Sequence, residues 1–283
     1  MANGPQPPLF QIKHESPIFS ATFVNNSNVV TVGADTYVKQ TDLQTNQATK
    51  IGSHLLPIRT AKYNPEYQSV ATASWDHTVR FWTPNGNGQP VMSIMLPERV
   101  YGMDTVSYLL AVCIANNPVT VYDLRNPSTP LRQFQPLDPM SQQVVIYPSG
   151  HGIVSGAVGG RVTVSMFNDQ PVKSYSFRTQ RNQNTKKIHE LCDIAMSPDG
   201  LICTAGGDKT YSIWDTIESD ICGSSVSFSR PVTNVSFSPD RKFLAAAIGN
   251  IWERGPPSQK DAATPPQLCL HELNEYWLTK RKK

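Results

Sequence analysis

Asp76 and His77 stand side by side in the stretch ATASWDHTVRFW (71–82), with Thr72 and Ser74 just upstream. An acid, an imidazole and a hydroxyl are the parts of a nucleophilic triad. The same residue types recur, however. His54, Thr72, Asp76 and Trp82 are matched by His189, Thr204, Asp208 and Trp214, and in both sets the Asp lies four residues after the hydroxyl and six before the Trp. A catalytic constellation occurs once, at one mouth. A set repeated in phase with a larger repeat is expected to be architectural. The Asp accepts from the His, the His reaches the hydroxyl, and the hydroxyl meets the indole N–H, so that each buried polar group gains a partner. His77 is then expected to be a turn residue facing solvent.

Other chemistry is not signalled. The glycines of GAVGGRV (156–162) lack the lysine of a phosphate loop, and NGNG (85–88) opens no helix. No GxSxG elbow is present, and the six histidines show no metal-ligand spacing. Cys113, Cys192, Cys203, Cys222 and Cys269 form no CxxC pair, so buried thiols are expected rather than a zinc cage or a disulfide framework. We expect no catalytic residue, no metal and no cofactor. The alternative is an enzyme whose site sits at the mouth of the fold without a local motif.

The elements that hold these residues repeat along the whole chain. YVKQTDL (37–43), TVRFWTP (78–84), PVTVYDL (118–124), RVTVSMF (161–167), TYSIWDT (210–216) and QLCLHEL (267–273) each alternate apolar and polar residues, the period of a half-buried strand. Their aligned positions Thr41, Trp82, Tyr122, Ser165, Trp214 and His271 are 41, 40, 43, 49 and 57 residues apart. A period of ~40–45 residues with four strands per unit is that of a β-propeller. Turn signals at 64–67, 147–150, 197–200 and 238–241 keep the same phase. The small-residue runs that follow them are expected to form the strand nearest the axis. Six blades result, at about 14–52, 53–95, 96–135, 136–178, 187–228 and 229–274, in a single all-β domain over 1–283.

Composition agrees. Hydrophobic residues make up 39% and charged residues 17%, enough for a core, and 23 prolines suit many turns between short strands. No apolar run approaches a membrane span, and the N-terminus lacks a secretory pattern, so neither membrane insertion nor export is expected. The net charge of +3 is far from that of a strongly basic nucleic-acid binder. Positive charge is local instead: RTQR (178–181), Lys186 and Lys187, and the tail Lys280, Arg281, Lys282 and Lys283 within 275–283. These are either solvated segments or a surface for RNA or an acidic partner, the RNA contact being weak.

The segment ASWDHTVRFWTPNGNGQPVMSIMLPERVYGMD (73–104), with LPERVY at 96–101, resembles the WD-repeat mRNA export factors of the nuclear pore. The likeness extends to GRVTV (160–164), YSFRTQR (175–181), NIWERG (250–255) and the lysine-rich terminus. Residues 56–82 and VYDLRNP (121–127) resemble the sister family, the mitotic-checkpoint propellers that recruit checkpoint kinases to kinetochores. The resemblance implies a seven-bladed norm, with this chain beginning at the second repeat. It also implies a smaller six-blade ring in which 8–14 supplies the outer strand of blade six, or else a shortened ring that closes poorly. It implies a scaffold whose top face binds a GLEBS peptide of a nucleoporin, or of a checkpoint kinase, by pairing glutamates with arginines. The matching positions are Arg161 and Arg181, with Arg178 where those families carry lysine. Nuclear and nuclear-pore residence with cytoplasmic shuttling is implied as well.

Overall fold

A computed structural model describes residues 12, 14–135, 140–168, 173–180, 187–216, 220–221, 226–251 and 265–273. Among these the regular structure is β throughout, in six antiparallel sheets taken in chain order. Blade one is β1 (Ile18–Phe23), β2 (Asn28–Gly33), β3 (Tyr37–Asp42) and β4 (Gln47–Ser53). Blade two is β5 (Ile58–Asn64), β6 (Ser69–Ser74), β7 (Thr78–Trp82) and β8 (Met92–Met95). Blade three is β9 (Val100–Val106), β10 (Leu109–Ile114), β11 (Val119–Asp123) and β12 (Pro130–Phe134). Blade four is β13 (Ser141–Ile146), β14 (Gly152–Ala157), β15 (Arg161–Met166) and β16 (Tyr175–Arg178). Blade five is β17 (Leu191–Met196), β18 (Leu201–Gly206) and β19 (Thr210–Asp215), with β20 (Asp220–Ile221) and β21 (Val226–Ser227) both paired to β19. Blade six is β22 (Val232–Phe237), β23 (Phe243–Ile248) and β24 (Gln267–Glu272). This is a six-bladed β-propeller arrangement. The six alternating segments read from the sequence are the third strand of each blade. Of the expected closing strand 8–14, only Ile12 and His14 are described, neither in a strand; the tail 275–283 lies outside the described residues.

The first strand of each blade lies innermost, where β1 packs on β5, β5 on β9, β9 on β13, β13 on β17 and β17 on β22. The small-residue runs form β6, β14, β18 and β23, which are second in each sheet rather than nearest the axis, contrary to expectation. The reason is steric. Successive blades stack closely at that radius, and β6, β14 and β18 are buried along their whole length between two neighbours. The innermost strands instead carry polar residues such as Thr60, Lys62, Asp104, Gln143 and Asp193.

Each innermost strand has a one-residue bulge near its start, at Phe19, Arg59, Tyr101, Gln142, Cys192 and Thr233. A bulge bends the strand and re-aims a side chain. Polar side chains then stitch each blade to the next. Thr22 accepts the Tyr63 N–H (3.2 Å), and Asn64 donates to Thr105 (2.8 Å). Asp104 accepts the Ile146 N–H (2.8 Å), Gln143 donates to the Cys192 carbonyl (2.9 Å), and Asp193 accepts the Val235 N–H (3.0 Å). Five apolar clusters fill the same five junctions. No packing of comparable extent joins β22 to β1 among the described residues.

One junction yields a direct test. A Cβ at Gly52, in β4 of blade one, would lie 2.3 Å from Cε3 of Trp82 in blade two. The fully buried indole has no room to retreat. Gly52→Ala is therefore expected to lower stability by about 1–3 kcal/mol through overpacking, read as a lower urea midpoint with an unchanged slope.

Candidate functional site

The residues that resemble a triad form a closed hydrogen-bonded set in blade two. His54 arrives on the β4–β5 connection and Asp76 on the β6–β7 turn, which places them at the same end of the blade. His54 Nδ1 lies 3.0 Å from Asp76 Oδ2, and Nε2 lies 2.8 Å from Thr72 Oγ1. The Trp82 indole donates to the same Thr72 oxygen at 2.7 Å. Burial lowers the His54 pKa against the pull of Asp76, so the ring is neutral. Nδ1–H then donates to Asp76, and Thr72 O–H donates to Nε2 while its oxygen accepts from Trp82. Asp76 also accepts from Leu55 N, Thr78 N and Thr78 Oγ1. Burial pushes its pKa up, but the hydrogen bonds from His54, Thr78 and Leu55 outweigh that and hold the carboxyl well below the usual range. Every polar side-chain atom of the set thus has a partner within the blade. His77, with φ +67°, is a half-buried turn residue.

Blade five is built differently. Trp214 donates to Thr204 at 2.9 Å, but the Thr204 oxygen meets Thr179 Oγ1 at 3.1 Å, and the side-chain partners of Asp208 are Thr210 and the amide of Gln180. With its nitrogen turned toward Asp208, that amide donates to both carboxylate oxygens. Thr179 and Gln180 thus divide between them the two contacts that His54 makes alone. His189 bonds through its backbone N–H to the Gln180 carbonyl (2.9 Å). Burial raises the Asp208 pKa despite its Thr210 bonds, the opposite direction from Asp76. Blade one carries a further version. His14 Nε2 lies 3.3 Å from Thr31 Oγ1, and Asp35 caps the next turn by accepting the Tyr37 N–H. Its signal was present in the spacing of Thr31, Asp35 and Thr41, which repeats the four and six residues of blades two and five with threonine in place of Trp.

At the corresponding end of blade four stand two of the three arginines singled out by sequence. Arg161 opens β15 and Arg178 ends β16, and the two are direct cross-strand partners. Arg161 Nη1 donates to Ser176 Oγ at 3.1 Å, which steadies its guanidinium, while Arg178 is exposed. Gly160, at φ +73°, makes the turn before Arg161, and its carbonyl accepts the Thr179 N–H at 2.8 Å. A Cβ there would meet the Thr179 oxygen at 2.6 Å, so glycine is required. Among the described residues neither guanidinium has a carboxylate partner. Two like charges side by side, one of them preset by Ser176, are chemically suited to pair with a carboxylate. Arg181, Lys186, Lys280, Arg281, Lys282 and Lys283 lie outside the described residues; Lys187 is exposed beside the short bridge at Ile188. No metal-binding group of His, Cys, Asp or Glu occurs among the described residues.

The WD domain, G-beta repeat family matches residues 46–83 and 180–215, the segments that carry both tryptophan sets. Mitotic checkpoint protein BUB3.1 of Arabidopsis thaliana is 30% identical over 273 residues, covering 93% of this chain and 79% of that protein. Protein Rae1 of Drosophila melanogaster is 30% identical over 263 residues, covering 87% and 74%. The mRNA export factor GLE2 of Chaetomium thermophilum is 28% identical over 282 residues, covering 96% and 78%.

Proposed function

The chain belongs to the WD-repeat propeller family of mRNA export factors and mitotic checkpoint proteins, and from that premise we propose that it is a non-enzymatic scaffold that binds a GLEBS-type peptide of a nucleoporin and supports mRNA export. The observation that carries the reading is the Arg161–Arg178 pair, held at one end of blade four with no carboxylate partner among the described residues. A partner glutamate supplies the missing charge. Arg181 and Lys187 add to the positive charge that follows Arg178 in the sequence, and the basic tail adds weak RNA contact. Residence at the nuclear envelope and pore, with passage to the cytoplasm, follows from this role.

The checkpoint relatives match as well as the export relatives do, so the competing partner is the equivalent segment of a checkpoint kinase. The test is a fluorescence-anisotropy titration of the purified protein with both labelled peptides, taken from one organism. Tighter binding of the nucleoporin peptide supports export. Preference for the kinase peptide turns the assignment to the checkpoint, and binding of neither by folded protein overturns the GLEBS reading.

A further inference from the structure

Ser176 stands beside the arginine pair and is bonded to one of its members. The register of β15 and β16 puts Arg161 opposite Arg178 and Thr163 opposite Ser176. Residues directly opposite each other, and residues two apart on one strand, share a face of a sheet. Arg161, Thr163, Ser176 and Arg178 therefore lie together on one face of this ribbon, while Val162 and Val164 are buried on the other. The bond from Arg161 Nη1, at 3.1 Å, is the one hydrogen bond of the Ser176 side chain among the described residues.

Two features make that hydroxyl more than a prop for Arg161. The first is access. β16 is the outermost strand of its sheet, four residues long, and among the described residues it is paired on one edge only, to β15. A short edge strand opens at low free energy, and Ser176 is half-buried rather than enclosed. Exposed basic residues flank it, Lys173 three positions before and Arg178 two after. The second is charge. A phosphoserine carries about −1.5 to −2 at pH 7 and three strong acceptor oxygens. The two guanidiniums beside it are cations without a carboxylate partner among the described residues, and a planar guanidinium can take two phosphate oxygens at once.

We propose that Ser176 is a phosphorylation site, and that its phosphate closes the arginine pair to an acidic partner. A protein kinase moves the γ-phosphoryl group of a nucleoside triphosphate to Ser176 Oγ. The Oγ–P bond forms, the bond from that phosphorus to the departing nucleoside diphosphate breaks, and the hydroxyl proton passes to solvent. Arg161 already bonds Oγ, so the phosphate meets its guanidinium with the strand register unchanged, and Arg178 stands two residues along on the same face. Glutamates of a partner then find both cations taken and meet a like charge. Ser174 gives the contrast. It is exposed on the same strand, but its Oγ accepts the Met166 N–H at 3.0 Å, toward the other end of the ribbon from the arginines. The closure rests on the peptide-binding reading above; the pairing of phosphate with arginine does not.

Three measurements on the full chain test it, two of them with phosphoserine genetically encoded at position 176 or, as the control, at 174. In phosphorus NMR titrations the second phosphate pKa, about 6 for a free phosphoserine, should be lower at 176 than at 174, and should return to the 174 value when Arg161→Gln and Arg178→Gln are combined. Equal values at the two positions overturn the pairing, whether or not any peptide binds. In anisotropy titrations, phosphate at 176 should weaken the nucleoporin peptide at least ~10-fold, and phosphate at 174 only about twofold, as a screened charge does. Full-strength binding by the 176-phosphorylated protein overturns the closure. Failure of the unmodified protein to bind overturns the peptide reading and leaves the pairing to the NMR result. In the third, the unmodified protein is incubated with ATP and a eukaryotic nuclear extract and mapped by mass spectrometry. Phosphate on Ser176 is expected; phosphate elsewhere only, or nowhere, overturns the assignment.

Discussion

Arg161→Glu weakens the nucleoporin peptide at least ~30-fold, because truncating one side of a desolvated charge pair typically costs about 2–5 kcal/mol and 1.4 kcal/mol is a factor of ten. Reversal does more than remove a partner. The introduced carboxylate stands next to Arg178, its cross-strand neighbour, and draws that second cation away from the peptide as well. Arg161→Lys separates charge from geometry. It keeps the positive charge but loses the planar fork and its bond to Ser176, so an intermediate loss is expected. Arg178→Ala should cost less, because an exposed charge is screened by salt. Anisotropy titrations at two ionic strengths check all three. Equal affinity for wild type and Arg161→Glu would move the contact away from blade four.

Asp76→Ala should have the largest effect on folding. Asp76 is the one acceptor shared by His54, Leu55, Thr78 and, at 3.7 Å, Arg80. Removing one partner of a buried pair costs about 3–5 kcal/mol, which lowers a thermal midpoint by on the order of 10 °C in a domain of this size. Peptide affinity of the folded fraction, measured below the new midpoint, should stay the same. A concurrent loss of affinity would make Asp76 part of the binding face. The pH dependence has a definite sign. Asp76 has its pKa depressed in the fold, so its contribution is complete above the unfolded value of ~3.9 and is lost as pH falls through the folded one. His54 is depressed too, so the unfolded chain takes up its proton first, from about pH 6.5 downward. Both groups make the wild-type protein less stable on acidification. Asp76→Ala removes the lower-pH part of that slope.

The fold was legible because its two periods are both written in the chain. Alternation at period two marks β3, β7, β11, β15, β19 and β24, and the spacing of about 40 residues marks the blades. Which strand lies innermost was not legible. Small residues mark where two sheets are pressed together, and in this arrangement that is the second strand, not the one at the axis. The polar set of blade five shows a second limit. Spacing selects histidine by type, yet a threonine and a glutamine side by side can supply one hydroxyl and one amide donor at the same two points. The partnership of Arg161 with Arg178 depends on the register of β15 and β16, which a list of basic residues does not contain. The LPERVY motif was visible as a string, but its association with Met140 and Gln142 required the bulges that turn the first residues of β9 and β13 toward one another's blade.

Among the described residues six sheets meet through five filled junctions, and each junction is a nearest-neighbour term in the stability of the fold. Among the described residues blades two to five each pack against two neighbours. In a repeat architecture stability is approximately a sum of unit terms and nearest-neighbour terms. Blade four, which carries Arg161 and Arg178, has a filled junction on each side, to blade three and to blade five. The proposed binding edge therefore sits on a blade held from both sides, and its geometry draws on two junctions at once.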